Sequence, residues 1–259
     1  MTLRYSSLSS SSSGNSFYVS NSKRNSSILV DCGISCKQIL EKLSILKENP
    51  HKIKGIFVTH EHSDHIKGVD VLARKFQIPI FATSGTINNS FLTSQKNLIN
   101  KIKNSETINL GGMEIQSFSK FHDASDPVSF KIQNSKKLSI VTDIGSSCKN
   151  VLESISDCDS VVLESNHDIQ MLKQGPYPFF LKKRILSDKG HSSNLNSGIS
   201  VLEHARNKLK NISLAHLSET NNTPKQALKT FKNLIRERQD LNPRINICPS
   251  YTNTGLIRV

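Results

Sequence analysis

The chain has 259 residues, 36% of them apolar, and carries 34 Lys and Arg against 21 Asp and Glu, a formal net charge of +13. That length supports one well-buried domain or two small ones, and the apolar deficit is filled by Ser and Asn rather than by charge blocks, which argues against a disordered chain. Five cysteines, an odd number without C-x-x-C spacing, argue against a disulfide framework and fit a reducing cytosol.

No segment approaches the length of a transmembrane helix, and Met1 to Ser16 is serine-rich without the apolar stretch of a signal peptide. A soluble, cytoplasmic protein is therefore expected. The excess positive charge favours a polyanionic partner such as nucleic acid.

Along the chain, Ser6 to Asn15 has turn chemistry and reads as a hairpin loop before a strand at Phe17 to Val19. Ile28 to Val30 is a second strand, ending at Asp31. Ser35 to Leu46 places Ile39, Leu40, Leu43 and Leu46 at helical spacing. Ile53 to Thr59 is an apolar strand, Asp64 to Phe76 a helix and Ile78 to Phe81 a strand. Thr86 to Ser105 has no firm pattern beyond a helix and a loop. Strands follow at Glu114 to Phe118, Val128 to Ile132, Leu138 to Thr142 and Val161 to Leu163. Asn196 to Lys210 is helical, Ile212 to Ala215 a strand, and Thr223-Pro224 caps a helix running to about Arg238. Ile245 to Ile247 and Gly255 to Val259 are closing strands. The order suggests an α/β protein with two sheets packed face to face and helices outside. No repeat and no linker is visible, so residues 1–259 are expected to form a single domain.

Three of the nine histidines fall within six residues, in His60-Glu61-His62-Ser63-Asp64-His65. A helix would put His62 and His65 on one face but not His60, whereas a loop leaving a strand can turn all three inward. Imidazole suits zinc and other first-row metals, and carboxylates widen the choice toward manganese.

This segment resembles the H-x-H-x-D-H signature of the metallo-β-lactamase superfamily, and it follows a strand as that signature does. Ser12 to Ser16, His122-Asp123-Ala124-Ser125-Asp126-Pro127, Glu164-Ser165-Asn166-His167-Asp168, Gly190 to Asn194 and Ala215-His216-Leu217-Ser218 resemble the YycJ/WalJ-like group of bacterial metallo-hydrolases. The resemblance implies a four-layer αββα metallo-β-lactamase sandwich with two divalent metal ions, zinc or manganese, at one edge between the sheets. It implies that His60, His62 and His122 hold one ion, that Asp64, His65 and His216 hold the other, and that Asp143 bridges them. Two such ions can stabilise the attacking and leaving oxygens of a phosphodiester together.

The implied activity is that of a metal-dependent phosphodiesterase or nuclease, a 5′ to 3′ exonuclease on double-stranded DNA with a place in DNA repair. Asp64 would orient the attacking water. Asp31 would fix the metal loop by hydrogen bonds rather than ligate. His191, by analogy with related phosphodiesterases, would contact the scissile phosphate or protonate the leaving oxygen, with His167 as its competitor for that role. Lys182, Lys183 and Arg184 could grip flanking phosphates. With 6% aromatics and no Trp, recognition is expected to rest on backbone charge and duplex ends rather than extensive base stacking. An aspartate rather than a cysteine at position 143 disfavours antibiotic cleavage. A thioester or lactone hydrolase of the same fold, an RNA-processing nuclease and a non-enzymatic nucleic-acid binder remain as rivals.

Overall fold

The computed structural model describes residues 3–259; Met1 and Thr2, at the head of the serine-rich stretch, lie outside the described residues. These residues form two units, one of residues 3–119, 124–136 and 248–259, the other of residues 120–123 and 137–247.

In the first unit a sheet runs in the order Ile257–Arg258, Leu3–Ser9, Ser16–Asn21, Ser26–Val30, Ile53–Phe57, Ile80–Thr83, Ile99–Ile102. Its first four strands pair antiparallel and the rest parallel. Thr107–Leu110, Met113–Ser119 and Val128–Gln133 form an antiparallel set in the same unit. Against the main sheet pack the helices Cys36–Ile45 and Val69–Phe76, through Ile39, Leu43, Val69 and Leu72 on Leu29, Ile56 and Ile80. Ser35 caps the first of these helices in a reciprocal box with Gln38, which satisfies two backbone donors at its start.

The second unit is built on four parallel strands in the order Arg244–Ile247, Asn211–Ala215, Ser160–Glu164, Lys137–Val141. Ser160–Glu164 and Asn211–Ala215 are buried along their whole length, as interior parallel strands are. The helices Lys149–Ser156, Asn194–His204 and Pro224–Ile235 belong to this unit. Thr223 caps the last by accepting from the Gln226 N–H.

Three expectations change. Ser6 to Ser9 belong to the strand Leu3–Ser9, so only residues 10–15 make the hairpin connection. Those serines are buried: Ser9 donates to the Ser250 carbonyl, and the Ser7 N–H donates to the Thr254 hydroxyl. A polar composition therefore hid a strand that the C-terminal segment covers and pairs through the Ser9 hydroxyl and the Ser7 N–H. The helix expected over Asp64 to Phe76 is broken into Ser63–Ile66 and Val69–Phe76. At the break, a Cβ on Gly68 would strike the Ile34 carbonyl oxygen, so the chain needs glycine to pass there. Finally, Ile99–Ile102 is a strand within the stretch that has no firm pattern in the sequence, and Thr107–Leu110 is a strand just beyond it for which no element is expected, because their exposed positions carry polar residues and their buried ones are few.

Candidate metal centre and active site

In the first unit the strand Ile53–Phe57 feeds a loop that ends in the four-residue helix Ser63–Ile66. The His60 and His65 rings are buried, with centroids 4.1 Å apart. His60 Nε2 and His62 Nδ1 stand 3.0 Å apart. Two ring nitrogens that close must share a proton or face a common cation. Asp31 anchors the loop. Its Oδ1 accepts from the Thr59 N–H at 2.8 Å, and its Oδ2 accepts from the Thr59 hydroxyl at 2.9 Å and faces His65 Nδ1 at 2.7 Å. The Asn15 amide donates to Asp64 Oδ2 at 3.2 Å and lies 3.3 Å from His65 Nε2. A Cβ on Gly33 would strike the Asp64 carbonyl oxygen, so glycine lets the Asp31 turn lie directly on the segment that carries Asp64 and His65.

In the second unit the site is assembled from strand ends. Asp143 lies just past Lys137–Val141, Glu164 ends Ser160–Glu164, and His216 follows Asn211–Ala215. Ligand atoms of Asp143, Glu164, His191 and His216 all lie within 4.8 Å of one another. Glu164 is fully buried. Its Oε1 faces His191 Nδ1 and His216 Nδ1, each at 2.9 Å, while its Oε2 accepts from the N–H groups of Ile144 at 2.7 Å and Ser192 at 3.2 Å. Burial alone would raise its pKa. The His191 charge and the hydrogen bonds from His191 and His216 outweigh burial and hold the carboxyl down, so it stays an anion. His216 Nδ1 also lies 3.2 Å from Asp143 Oδ1. His122 directs Nδ1 to the Gly190 carbonyl at 3.3 Å, and its Nε2 is 3.9 Å from Asp143 Oδ1. Burial pushes the His122 ring down to about 4, only partly opposed by Asp143, so the ring is neutral at physiological pH, the form that ligates metals.

Asp31, Asp143 and His216 all have left-handed backbone, with φ of 59°, 53° and 56°. Non-glycine residues rarely adopt this geometry, and it collects at functional sites. Here it turns each side chain sharply off the strand that precedes it.

The structure separates the two candidate acids. The His191 side chain is 21% exposed, whereas His167 is 1% exposed. Burial lowers the His167 pKa to about 4, and its Nε2 is buried with no hydrogen-bond partner. His167 stands outside the four-residue cluster, its backbone bridged to Ser193. Lys182, Lys183 and Arg184 lie on the helix Phe179–Ile185. Arg184 is held by Asp123 at 2.6 Å, and Lys182 Nζ donates to the Lys173 carbonyl at 2.8 Å. The five cysteines are free thiols, and burial pushes Cys158 and Cys248 up to about 12, far from a reactive thiolate.

Glu164 was not assigned a role on sequence grounds, although it stands inside a quoted motif. A signal was present: an acid closes the apolar run Val161-Val162-Leu163, as Asp31 closes Ile28 to Val30. Thr59, which couples Asp31 to the His60 ring (Oγ1 to Nδ1, 2.9 Å), gave no such signal.

The profile of the beta-lactamase superfamily domain matches residues 26–234, most of the chain and every histidine and carboxylate described above. The chain belongs to this superfamily. It is 36% identical over 247 residues to exodeoxyribonuclease YycJ of Bacillus anthracis, covering 92% of this chain and 91% of that protein. It is 37% identical over 243 residues to exodeoxyribonuclease WalJ of Streptococcus pneumoniae serotype 2, covering 90% and 88%. Among solved structures, the metallo-β-lactamase fold protein YhfI from Bacillus subtilis superposes with a TM-score of 0.74 at 15% identity, covering 100% of this chain and 99% of that one. The superfamily and fold expected from the histidine segment are thus borne out: this is a mixed α/β chain of the metallo-β-lactamase fold, with its sheets flanked by helices. No helix among the described residues is long and apolar enough to cross a membrane.

Proposed function

We propose that this superfamily member is a divalent-metal-dependent phosphodiesterase of the cytoplasm that acts on nucleic acid, as a 5′ to 3′ exonuclease on double-stranded DNA serving DNA repair. The observation that carries this reading is a division of labour in the second unit: His122 and His216 are buried as ligands should be, while His191 shares the Glu164 carboxylate with His216 and is accessible. The relatives named exodeoxyribonucleases support DNA over other substrates, and residues of both units within one family match support a single catalytic domain.

The donors fit divalent metal. Neutral imidazoles and carboxylates are what zinc and manganese take. His65, His122 and His216 each present Nδ1 to an oxygen, of Asp31, Gly190 and Glu164, the arrangement that orients ligating rings. We assign His60, His62 and His122 to one ion and Asp64, His65 and His216 to a second, with Asp143 shared. Ions bound there supply Lewis acidity toward the phosphate and activate water. Asp64 orients the attacking water. Glu164 accepts from His191 Nδ1, so the proton that His191 delivers to the leaving 3′ oxygen comes from Nε2. The basic helix contributes phosphate contacts, with Lys183 the most available because Arg184 is engaged by Asp123.

The test is a rate comparison with Mn²⁺ on labelled duplex DNA, single-stranded DNA, RNA and a thioester. Fastest hydrolysis of duplex DNA with mononucleotide release from 5′ ends is expected. Preference for RNA would make it an RNA-processing nuclease, and thioester cleavage alone would move it to another hydrolase class.

A further inference from the structure

The helix Phe179–Ile185 carries an unusual surface. Phe179 is 81% exposed and Phe180 72% exposed, with Leu186 half-exposed just beyond the helix end. Phe179, Lys182, Lys183 and Leu186 recur at helical spacing and share one face. With Lys173 and Ser187 they line a groove of about 660 Å³, and every charged group lining it is a lysine. Rings this exposed carry apolar area that a bound partner would remove from water, which favours binding.

The surface is tied to the candidate active site of its own unit. The His191 N–H donates to the Ile185 carbonyl at 2.9 Å, and Arg184 holds Asp123, the neighbour of His122. Gly190 is fitted against this helix end: a Cβ there would strike the Arg184 and Ile185 carbonyl oxygens. Whatever sits on the groove is therefore a few residues from the candidate acid.

We infer that the exposed Phe179 ring in this groove is a stacking platform for an unpaired stretch of polynucleotide, whose phosphates pair with Lys173, Lys182 and Lys183 while a base lies on the ring, with Phe180 extending the exposed aromatic surface on the adjoining helix face. Aromatic faces among cations and without carboxylates are what single strands require: a π surface for any base and charge for the backbone. Two of only eleven phenylalanines are concentrated here, so a low overall aromatic content conceals a local stacking site. The inference rests on nucleic acid being the partner and adds to it that a strand end is held unpaired before cleavage.

The chain has no tryptophan, so Phe179→Trp in the full-length metal-loaded protein introduces a single tryptophan that can be excited selectively over the four tyrosines. A cleavage-resistant phosphorothioate oligothymidine is titrated in, with an abasic strand of equal length as control. Saturable quenching by oligothymidine and about ten-fold weaker binding of the abasic strand are expected. Phe179→Ala with Phe180→Ala should weaken oligothymidine binding by about ten-fold or more without lowering the melting temperature. Absence of quenching, or equal affinity for the abasic strand, overturns the platform. So does concentration-dependent self-association that Phe179→Ala abolishes, which would give the surface to a second copy. Digestion of blunt duplex DNA is measured alongside: digestion without quenching overturns the platform alone, and quenching without digestion overturns the nuclease reading while leaving the platform standing.

Discussion

The loop from Thr59 to His65 and the cluster around Glu164 use the same device over very different spans of sequence. In each, a buried carboxylate at a strand end holds the Nδ1 of an imidazole and receives backbone N–H groups. Asp31 holds one ring, His65, whereas Glu164 holds two, His191 and His216, through a single oxygen. In the first set only Asp31 lies outside the six consecutive residues His60 to His65, whereas the second is gathered from positions 143, 164, 191 and 216. The comparison teaches that the orienting carboxylate, not the ligand alone, decides how much of a site a single change disturbs. Losing Asp31 frees one proposed ligand, His65; losing Glu164 frees the proposed ligand His216 and the candidate acid together.

The most severe way to break the comparison is at the ligands themselves. Asp143→Asn keeps a residue that tolerates the left-handed backbone at this position but removes the charge. It should lose at least one ion per chain and nearly all hydrolysis, with the circular dichroism spectrum unchanged. Elemental analysis decides it, and full metal retention would remove Asp143 from the shared position.

Next in size are the two orienting carboxylates. Outer carboxylates of this kind are worth about 10–100-fold in metal affinity or activity. Glu164→Gln should fall at the upper end and depress both metal affinity and turnover. Asp31→Asn should depress metal affinity chiefly. Equal effects on both readouts in the two variants would erase the distinction drawn between them.

The smallest effect lies outside both clusters. Asp157 is paired with Lys137 at 2.7 Å and Lys208 at 3.0 Å. Burial would raise its pKa, but the lysine hydrogen bonds outweigh this and hold the carboxyl well below the usual range. A depressed carboxylate stabilises the fold above its unfolded pKa, about 3.9, and that contribution is lost as pH falls through the folded value. Because the group is more than a third exposed, Asp157→Asn should cost only about 0.5–1 kcal/mol near neutral pH. The difference from wild type in denaturant titrations should close in acid, and activity per folded molecule should not change. A gap that does not narrow at all between pH 5 and pH 2 would show that the ion pair is not its source.

Legibility in the sequence followed the same divide. His60, His62, Asp64 and His65 were readable because a strand and a loop deliver them together in a recognisable spacing. His122, Asp143 and His216 were readable only through resemblance, since nothing in their local sequence states that three strand ends meet. Strands rich in buried aliphatics, such as Ser160–Glu164, showed in composition, whereas Leu3–Ser9 did not, because its buried serines meet partners about 240 residues away, through the Ser9 hydroxyl and the Ser7 N–H. Glu164 was missed for a related reason: a glutamate at a strand end looks like any surface acid until two rings and two backbone N–H groups converge on it.

In the second unit the buried His122 and His216 are the proposed ligands, while the accessible His191 is the proposed proton donor. His191→Ala tests this central claim most directly, assayed on a normal phosphodiester and on one with sulfur in place of the leaving 3′ oxygen. A positioned histidine contributes about 10²–10⁴-fold, so the variant should lose that much on the oxygen substrate with its metal content intact, and recover most of it on sulfur, which leaves without a proton. Loss of a metal ion from the variant, or an equal deficit on both substrates, would contradict the division of roles.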